Sequence, residues 1–466
     1  MANKPKLEMN RLKHVHLIGV GGCGMSGIAK VLHEMGYKVS GSDVKEGPNT
    51  IRLKDLGVKI DIGHKASNLR GADVIIYSSA VNLKTNDEIK EARAKGIGIF
   101  KRAEMLSWIM DQSKTKIAVA GTHGKTTTTA MISKVFDLAK FDPTYFIGCD
   151  MDYVGGNARL GNGKFAVAEA DESDSSFLYY SPTIEVITNI EEDHIERFGS
   201  MTALVKTFQK FAERVAGDGF IVLDATDARN KALMKKLDTR FITYGLDNKD
   251  VEYTAKDMSF DNFHSRFKLF RKGADLGEVE LSVPGWQNVL NSLAVFAIAF
   301  EFDLDFDSTA AALRTFSGAR RRFQTIGNHE NILIIDDYAH HPTEIKATLS
   351  AARSGWPGRR LICIFQPHRY SRTALLKNKF IKSFDDADKI ILTDIYAASE
   401  KPIPGISGKT IADGIKGKDV AYIERKEKIA EHLMGDLKEG DIVMTLGAGD
   451  INTVGREVLS RLKMKK

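Results

Sequence analysis

Two glycine-rich turns, each set between a strand-like run and a helix-like run, constrain this chain more than anything else in it. Gly19-x-Gly21-x-x-Gly24 follows the apolar stretch that begins at His14 and opens a segment with Ile28, Val31, Leu32 and Met35 at helical spacing. Asp43 stands nineteen residues beyond Gly24, which completes a dinucleotide-type fingerprint. The glycines let the backbone approach a pyrophosphate, and the unpaired N–H groups of the helix start hold its charge. Alone, the motif leaves NAD, FAD, another diphosphate or a plain tight turn open.

The second turn, Gly121-Thr122-His123-Gly124-Lys125-Thr126-Thr127, has the ending of a phosphate-binding loop. Its amides suit a β-phosphate, Lys125 reaches the β/γ oxygens, and the Thr126 hydroxyl can ligate Mg2+. Val119 occupies the place where the standard spacing wants its first glycine, so the loop is a variant that begins at Gly121. Together the two turns weigh against an oxidoreductase, because a dehydrogenase has no use for a γ-phosphate grip.

A strand feeding a helix through such a turn is the unit of a parallel sheet, and the chain repeats it. Strands are expected at 14–19, 37–43, 73–78, 116–120, 165–168, 184–189, 219–224, 331–336, 360–365, 389–393 and 441–446. Between 251 and 284, alternating polar and apolar residues with turn signals at Asp261-Asn262 and Lys272-Gly273 read as antiparallel hairpins. The expected architecture is α/β in three domains. Residues 1–114 form a Rossmann-like domain, 115–323 a P-loop-type ATPase domain with a parallel sheet plus a small antiparallel part, and 324–466 a second Rossmann-like domain. A length of 466 residues accommodates three such domains at roughly 100–200 residues each.

Composition sets the boundaries of function. With 67 Lys and Arg against 61 Asp and Glu, the formal net charge of +6 is too even for a nucleic-acid-coating protein. Three cysteines, Cys23, Cys149 and Cys363, are too far apart for a disulfide framework or a zinc site. The N-terminus has no apolar run of signal-peptide length before the first strand, and the longest apolar stretch, around 295–300, is far short of the roughly 20 residues that span a bilayer. A soluble cytoplasmic protein without a membrane or nucleic-acid partner is expected, with Lys4, Lys6, Lys463, Lys465 and Lys466 as solvated tips.

Polar clusters stand where strands end, which is where open α/β sheets bind ligands. Ala168-Glu169-Ala170-Asp171-Glu172-Ser173-Asp174 would be costly to bury without cations, so it reads either as a solvated acidic loop or as a Mg2+ site with Glu169 as ligand. His194, in Asn189-Ile-Glu-Glu-Asp-His194, could complete the coordination, although oxygen is the preferred donor. Later, Asp336-Asp-Tyr-Ala-His-His-Pro-Thr-Glu344 and Gln366-Pro-His-Arg-Tyr-Ser-Arg-Thr373 end two strands. Arg369 and Arg372 suit a carboxylate or phosphate clamp. His340 and His341 lack the spacing of a zinc site.

In this order the pieces resemble the Mur ligase family. The resemblance is carried by Gly19-Val-Gly-Gly-Cys-Gly-Met-Ser26, Tyr77-Ser-Ser-Ala80, Lys101-Arg-Ala-Glu-Met105, Ala120-Gly-Thr-His-Gly-Lys-Thr-Thr-Thr128 and Asn157-Ala-Arg-Leu-Gly161. It continues through Glu169–Asp174, Gly285-x-x-Asn288-x-x-Asn291, Gly318-x-x-Arg321-Arg-Phe323, Asp336–Pro342 and His368–Thr373, so it covers nearly the whole chain. It implies an ATP-dependent amide-forming ligase of peptidoglycan precursor synthesis that joins L-alanine to the lactyl carboxylate of UDP-N-acetylmuramate through an acyl phosphate.

By the same resemblance, the first turn holds a UDP sugar and not NAD. The implied contacts are Gly19, Gly21, Gly22, Cys23, Gly24, Met25, Ser26, Asp43, His64, Ser78, Ser79, Arg102, Asn157 and Arg159. ATP falls to Gly121, Thr122, His123, Gly124, Lys125, Thr126, Thr127, Asn291, Arg322, Asp336, Asp337 and Tyr338. Thr126, Glu169 and His194 are implied for Mg2+, and His341, His368, Arg369 and Arg372 for the amino acid. Lys125, Glu169, His194, Arg369 and Arg372 carry the catalysis, with domain closure around the ligands and a monomer or weak homodimer as the assembly. His194 and His340 are candidates for deprotonating the amine.

The chain departs from the family pattern at Gly156 (commonly Thr), Gln287 (commonly His) and Glu196 (commonly Asp). Lys206 and Lys210 lie where several relatives carry a carbamylated lysine, and neither is matched to it. The nearest rival within the family attaches a ready-made tripeptide to the same sugar. Outside it stand a NAD-dependent oxidoreductase and a non-catalytic ATP or UDP-sugar sensor. Cys23, at a helix start, is a place where a thiolate would be favoured, although a small residue filling a tight turn explains it too.

Overall fold

Alternate residues of the strand Leu361–Phe365 enter different apolar clusters, Leu361, Cys363 and Phe365 in one, Ile362 and Ile364 in the other. A strand apolar on both faces belongs inside a parallel sheet covered by helices on each side, and the fold is built on that rule. In the computed structural model residues 7, 9 and 12–464 are described, the side chains of residues 152 and 196 excepted. Lys4, Lys6, Lys465, Lys466 and the Glu196 side chain therefore lie outside the described residues.

By internal contacts the chain resolves into two units. One runs up to Ile190 and includes Thr202–Tyr244 and Ala294–Asp305; the other comprises Glu191–Met201, Gly245–Leu293 and the chain from Phe306.

In the first unit, β1 (His14–Ile18), β2 (Lys38–Asp43), β3 (Lys59–Ile62), β4 (Val74–Tyr77) and β5 (Gly98–Lys101) make a parallel sheet in the order β3-β2-β1-β4-β5. Ile18 and Ile75 of this sheet pack with Leu69, Ile89 and Ala92 in one buried cluster. Next come β6 (Thr115–Ala120), β7 (Thr144–Met151), β8 (Gly156–Arg159), β9 (Phe165–Glu169), β10 (Ile184–Ile187), β11 (Phe220–Asp224) and β12 (Arg240–Leu246). They lie in the order β8-β7-β9-β6-β10-β11-β12, parallel except for β8 on β7.

In the second unit, β13 (Tyr253–Asp261), β14 (His264–Arg271) and β15 (Ala274–Leu281) form the antiparallel hairpins expected. The last sheet combines β16 (Gln324–His329), β17 (Ile332–Asp337), β18 (Leu361–Phe365), β19 (Lys389–Leu392), β20 (Asp419–Tyr422) and β21 (Ile442–Leu446). Its order is β16-β17-β21-β18-β19-β20, with only β16 antiparallel.

The expected strands are present to within two residues, whereas β3, β5, β7, β8, β12, β16 and β20 are additions to the sequence reading. Lys206 and Lys210 are exposed on the helix Met201–Ala212. Among the described residues no helix is long and apolar enough to cross a membrane.

Candidate active site

The first glycine turn joins β1 to α1 (Cys23–Glu34) and is shaped by β2. The N–H groups of Gly19 and Val20 donate to the Ser42 carbonyl at 2.8 and 3.0 Å, and that of Gly21 donates to Asp43 Oδ2 at 2.8 Å. A Cβ on Gly21 would lie 2.9 Å from the same oxygen, so the turn needs glycine there and Asp43 is committed to shaping it. α1 begins after Gly22 with no side-chain cap and no acidic residue in its first turn, which leaves its N–H groups to an anion. Arg102 Nη1 stands 2.9 Å from the position of a Gly24 Cβ. Ser78 adjoins Gly19, Ser79 is exposed, and Met25 and Ser26 are buried as packing residues.

Beneath the turn, His64 Nδ1 lies 2.9 Å from Ser42 Oγ and 3.2 Å from Glu88 Oε2. Burial alone would raise Glu88, but hydrogen bonds from His16, Ser42 and Asn68 outweigh it and keep the carboxylate charged. Glu88 escaped the sequence reading because it sits in the first turn of the helix Asp87–Ala94 with no motif around it.

Asn157 Nδ2 donates to the Cys23 carbonyl at 2.6 Å, and the Cys23 thiol donates to the Gly148 carbonyl at 3.1 Å. Burial, with Cys149, Asp150 and Glu169 nearby, pushes the Cys23 thiol up to about 12. That overturns the expectation of a favoured thiolate, since desolvation outweighs the helix start. Arg159 is paired with Asp137 and Asp142 near the far end of α5 (Lys125–Leu138), not with the first turn.

The second turn joins β6 to α5. Gly121 (φ +133°) would place a Cβ 2.0 Å from Thr188 Oγ1, and Gly124 (φ +85°) is left-handed, so both positions require glycine. The N–H groups of Thr122 and His123 donate to the backbone and side-chain oxygens of Asn189, each at 2.9 Å. Lys125 Nζ donates to Glu172 at 2.8 Å and to the carbonyls of Gly121 and Thr122 at 2.6 and 3.2 Å. Burial would lower Lys125, but Glu172, Asp171 and Glu169 hold it above its ordinary range. Burial lifts Glu172 to about 7, whereas Lys125 keeps Asp171 low despite burial. Thr126 Oγ1 donates to Glu169 Oε2 at 2.8 Å.

Gly148 of β7 brings the two turns together. A Cβ there would lie 2.1 Å from Glu169 Oε2 and 2.9 Å from Thr126 Oγ1, while its carbonyl receives the Cys23 thiol. The sequence offered only an apolar run before this glycine, and nothing in it marked the contact.

In the second unit, Asp193 and Arg372 form a buried pair. Arg372 Nε and Nη2 donate to Asp193 Oδ1 at 3.1 and 2.9 Å, and Nη1 lies 3.2 Å from His368 Nδ1. Burial would raise Asp193, but Arg372, His194, His340 and His341 hold it well below the usual carboxylate range. His194 (φ +55°) sits beside Asp193 in the segment Glu191–Met201, with Nε2 3.5 Å from Asp193 Oδ2.

His341 is 1% exposed, accepts from Thr343 N–H at 3.3 Å and donates through Nε2 to the Glu192 carbonyl at 3.2 Å. It caps the helix Pro342–Gly355. Asp336 accepts from Arg321 and Thr445 at 3.1 and 2.8 Å, and Asp337 from the N–H groups of Phe323 and Ala339, both at 2.7 Å. Both are buried, and burial lifts Asp337 to about 6. They position Tyr338, whose ring lies 5.2 Å from the guanidinium carbons of both Arg321 and Arg322. Asn291 is buried on the helix Trp286–Glu301.

His368 stacks on Tyr396, centroids 5.6 Å apart, and burial together with Arg372 and Arg369 pushes it down to about 4. His340, lowered by burial to about 3, is a poor base for the amine. Arg369 takes φ +70° at the start of the helix Tyr370–Ile381, a strained conformation of the kind that clusters at ligand sites.

Three family models match in succession: the Mur ligase family catalytic domain over residues 14–114, the Mur ligase middle domain over 119–299, and the Mur ligase glutamate ligase domain over 321–449. The chain is 47% identical over 455 residues to the UDP-N-acetylmuramate–L-alanine ligase of Trichlorobacter lovleyi, covering 97% of this chain and 99% of that one. It is 46% identical over 458 residues to the ligase of that name from Desulforamulus reducens, covering 97% and 98%. Among solved structures, UDP-N-acetylmuramate–alanine ligase of Thermotoga maritima superposes with a TM-score of 0.83 at 33% identity, covering 97% of this chain and all of that one. A murein peptide ligase of Psychrobacter arcticus gives 0.71 at 25% identity, covering 96% and 98%.

Proposed function

The chain belongs to the Mur ligase family, and from that premise we infer its reaction. It joins L-alanine to the lactyl carboxylate of UDP-N-acetylmuramate, with ATP as the source of driving force, in the synthesis of peptidoglycan precursors. The observation that carries this reading is Gly148, whose two sides touch the diphosphate-type turn and the Thr126–Glu169 pair. A sugar nucleotide at one turn and a triphosphate at the other would place carboxylate and γ-phosphate within one cleft.

The lactyl carboxylate attacks the γ-phosphorus, the bond to the β-bridging oxygen breaks, and ADP leaves an acyl phosphate. The L-alanine amine then attacks the acyl carbon, inorganic phosphate departs, and the amine gives up a proton. Lys125, oriented by Glu172 and the loop carbonyls, would meet the charge that develops on the transferred group. The glycines of the loop let its N–H groups wrap the β-phosphate. The Thr126 hydroxyl and Glu169 carboxylate are the oxygen pair that a small hard cation prefers, so they fit Mg2+. When bound, Mg2+ supplies charge neutralisation on the β- and γ-phosphates.

Arg369 and His368 are the groups we assign to L-alanine, and Tyr338, Arg322 and Asn291 to the nucleotide. Arg372, with its fork on Asp193, is a positioning residue. We place the reaction in the cytoplasm. Supplying the purified protein with ATP, UDP-N-acetylmuramate and either L-alanine or a tripeptide tests the assignment. Phosphate release is expected with L-alanine; release with the tripeptide alone would replace this reading by its nearest rival.

A further inference from the structure

Two arginines flank the first glycine turn, and only one has a motif to explain it. Arg102 stands against Gly24. Arg52 belongs to α2 (Pro48–Asp55), whose first turn packs on the same loop: Asn49 Nδ2 donates to the Gly21 carbonyl at 2.9 Å, and Thr50 Cγ2 lies 3.1 Å from the position of a Gly21 Cβ. From there Arg52 reaches to β7, and its Nη1 and Nη2 donate to the two Asp150 oxygens at 3.0 and 2.9 Å. The thiol of Cys23, the first residue of α1, donates to the Gly148 carbonyl at 3.1 Å, two residues along β7 from Asp150. The Arg52–Asp150 pair therefore bridges the helix that packs on Gly21 and the strand that receives Cys23.

Space for it comes from one residue. A Cβ on Gly156 would lie 3.2 Å from Arg52 Nη1, and any larger side chain would push the guanidinium away. The Arg52–Asp150 pair is 29% and 20% exposed, so water reaches it and a stronger anion can compete. A diphosphate offers more charge and more oxygens to a planar five-donor fork than one carboxylate does.

We propose that Arg52 is a second diphosphate-binding residue of the UDP-sugar site, with Asp150 as the counterion that it exchanges for the ligand. This rests on the reading of the first turn as a UDP site, and goes beyond it by adding a cation and an internal competitor. A strap holding α2 to β7 would need the same ion pair, but it makes the opposite prediction for Asp150. If the pair is a strap, removing either partner loosens the same contact; if Asp150 competes with ligand, removing it frees the arginine.

Titration calorimetry of the full chain with UDP and with uridine separates these. Arg52→Gln is expected to weaken UDP about tenfold and to leave uridine unchanged, because only the diphosphate is lost as a partner. Asp150→Asn should tighten UDP about threefold, the modest gain expected from removing a half-exposed competitor. Gly156→Thr, which leaves both charges in place, should weaken UDP in the same sense as Arg52→Gln. Equal UDP affinity in Arg52→Gln and the parent, or Arg52→Gln and Asp150→Asn moving in one direction, would overturn the proposal. So would a loss of uridine affinity as large as that of UDP. Failure of the parent protein to bind UDP at all would instead sink the reading of the turn.

Discussion

The phosphate loop of the first unit and the strand ends of the last sheet carry equally dense motifs, yet their side chains are engaged differently. Around Lys125, each polar group has a partner that a ligand could replace: an ammonium on Glu172, a hydroxyl on Glu169. At the last sheet, Asp336 is held by the Arg321 and Thr445 side chains, Asp337 by backbone N–H groups, His341 as a cap and Arg372 by a buried carboxylate. The first set is organised to receive something. The second is organised to hold loops, and leaves reception to Arg369, His368 and Tyr338.

The contrast breaks most easily at Lys125. Lys125→Ala combined with Glu172→Gln, which leaves no buried charge unpaired, should cut ligase turnover by about 10³-fold while the urea midpoint stays near that of the parent, read from phosphate release and from melts on one preparation. A collapse of the midpoint would mean that Lys125 is architecture as well. Arg372→Met should do the reverse in kind. It leaves Asp193 buried and unpaired at a site where the two side chains are 5% and 9% exposed, which costs about 3–5 kcal/mol of stability. Arg372→Met with Asp193→Leu should regain a large part of that. Loss of L-alanine affinity at unchanged stability would place Arg372 with the receiving groups.

The two regions also differ in the sign of their pH response. Glu172 is raised from an ordinary 4.5 to about 7, so the folded chain binds its proton more readily than the unfolded one. Its contribution is complete below 4.5 and lost as pH rises through 7, and Glu172→Gln should flatten that alkaline limb. His368 is lowered from 6.5 to about 4, so the unfolded chain takes the proton first. Its contribution is present above 6.5 and lost as pH falls towards 4, and His368→Gln should flatten that acid limb. Urea midpoints between pH 4.5 and 8 check both. Limbs of the same sign would remove the distinction between the two regions.

The sequence carried the βα units and both glycine turns, because periodicity and glycine spacing are local. Position 121 shows why: its φ of +133° and its approach to Thr188 demand glycine, so the motif and the geometry are one fact. What escaped is non-local. Gly148 matters only because Glu169, Thr126 and Cys23 surround it, from segments far apart in the chain. Glu88 and Asp193 likewise take their roles from partners supplied by other elements. The short strand β8 was missed for a related reason: its pairing with β7, and not its composition, makes it a strand. The cap made by His341 was not legible either, since a cap and a ligand contact look alike until the ring's two nitrogens are assigned partners.

Smaller effects sharpen the contrast. Thr126→Val removes one oxygen from the proposed cation pair without touching Lys125, and should raise the Mg2+ concentration for half-maximal activity about tenfold. His341→Ala should cost about 1 kcal/mol through the lost cap and leave the KM for L-alanine unchanged. A raised KM at parental stability would return His341 to the amino-acid site.

Cys23 gives the smallest effect and the sharpest sign. Were the helix start dominant, its thiol would be acidic and would alkylate quickly at pH 8. Burial, reinforced by Cys149, Asp150 and Glu169, pushes it up to about 12, which leaves a thiolate fraction of about one in 10⁴ at that pH. Iodoacetamide at pH 8, followed by peptide mass mapping, should label Cys23 far more slowly than an unfolded control. UDP should slow it no further, because the thiol already points at the Gly148 carbonyl and not outward. Fast labelling that UDP suppresses would put the sulfur on the ligand side of the turn. In that case the contact through which Gly148 ties one glycine turn to the other would have to be redrawn.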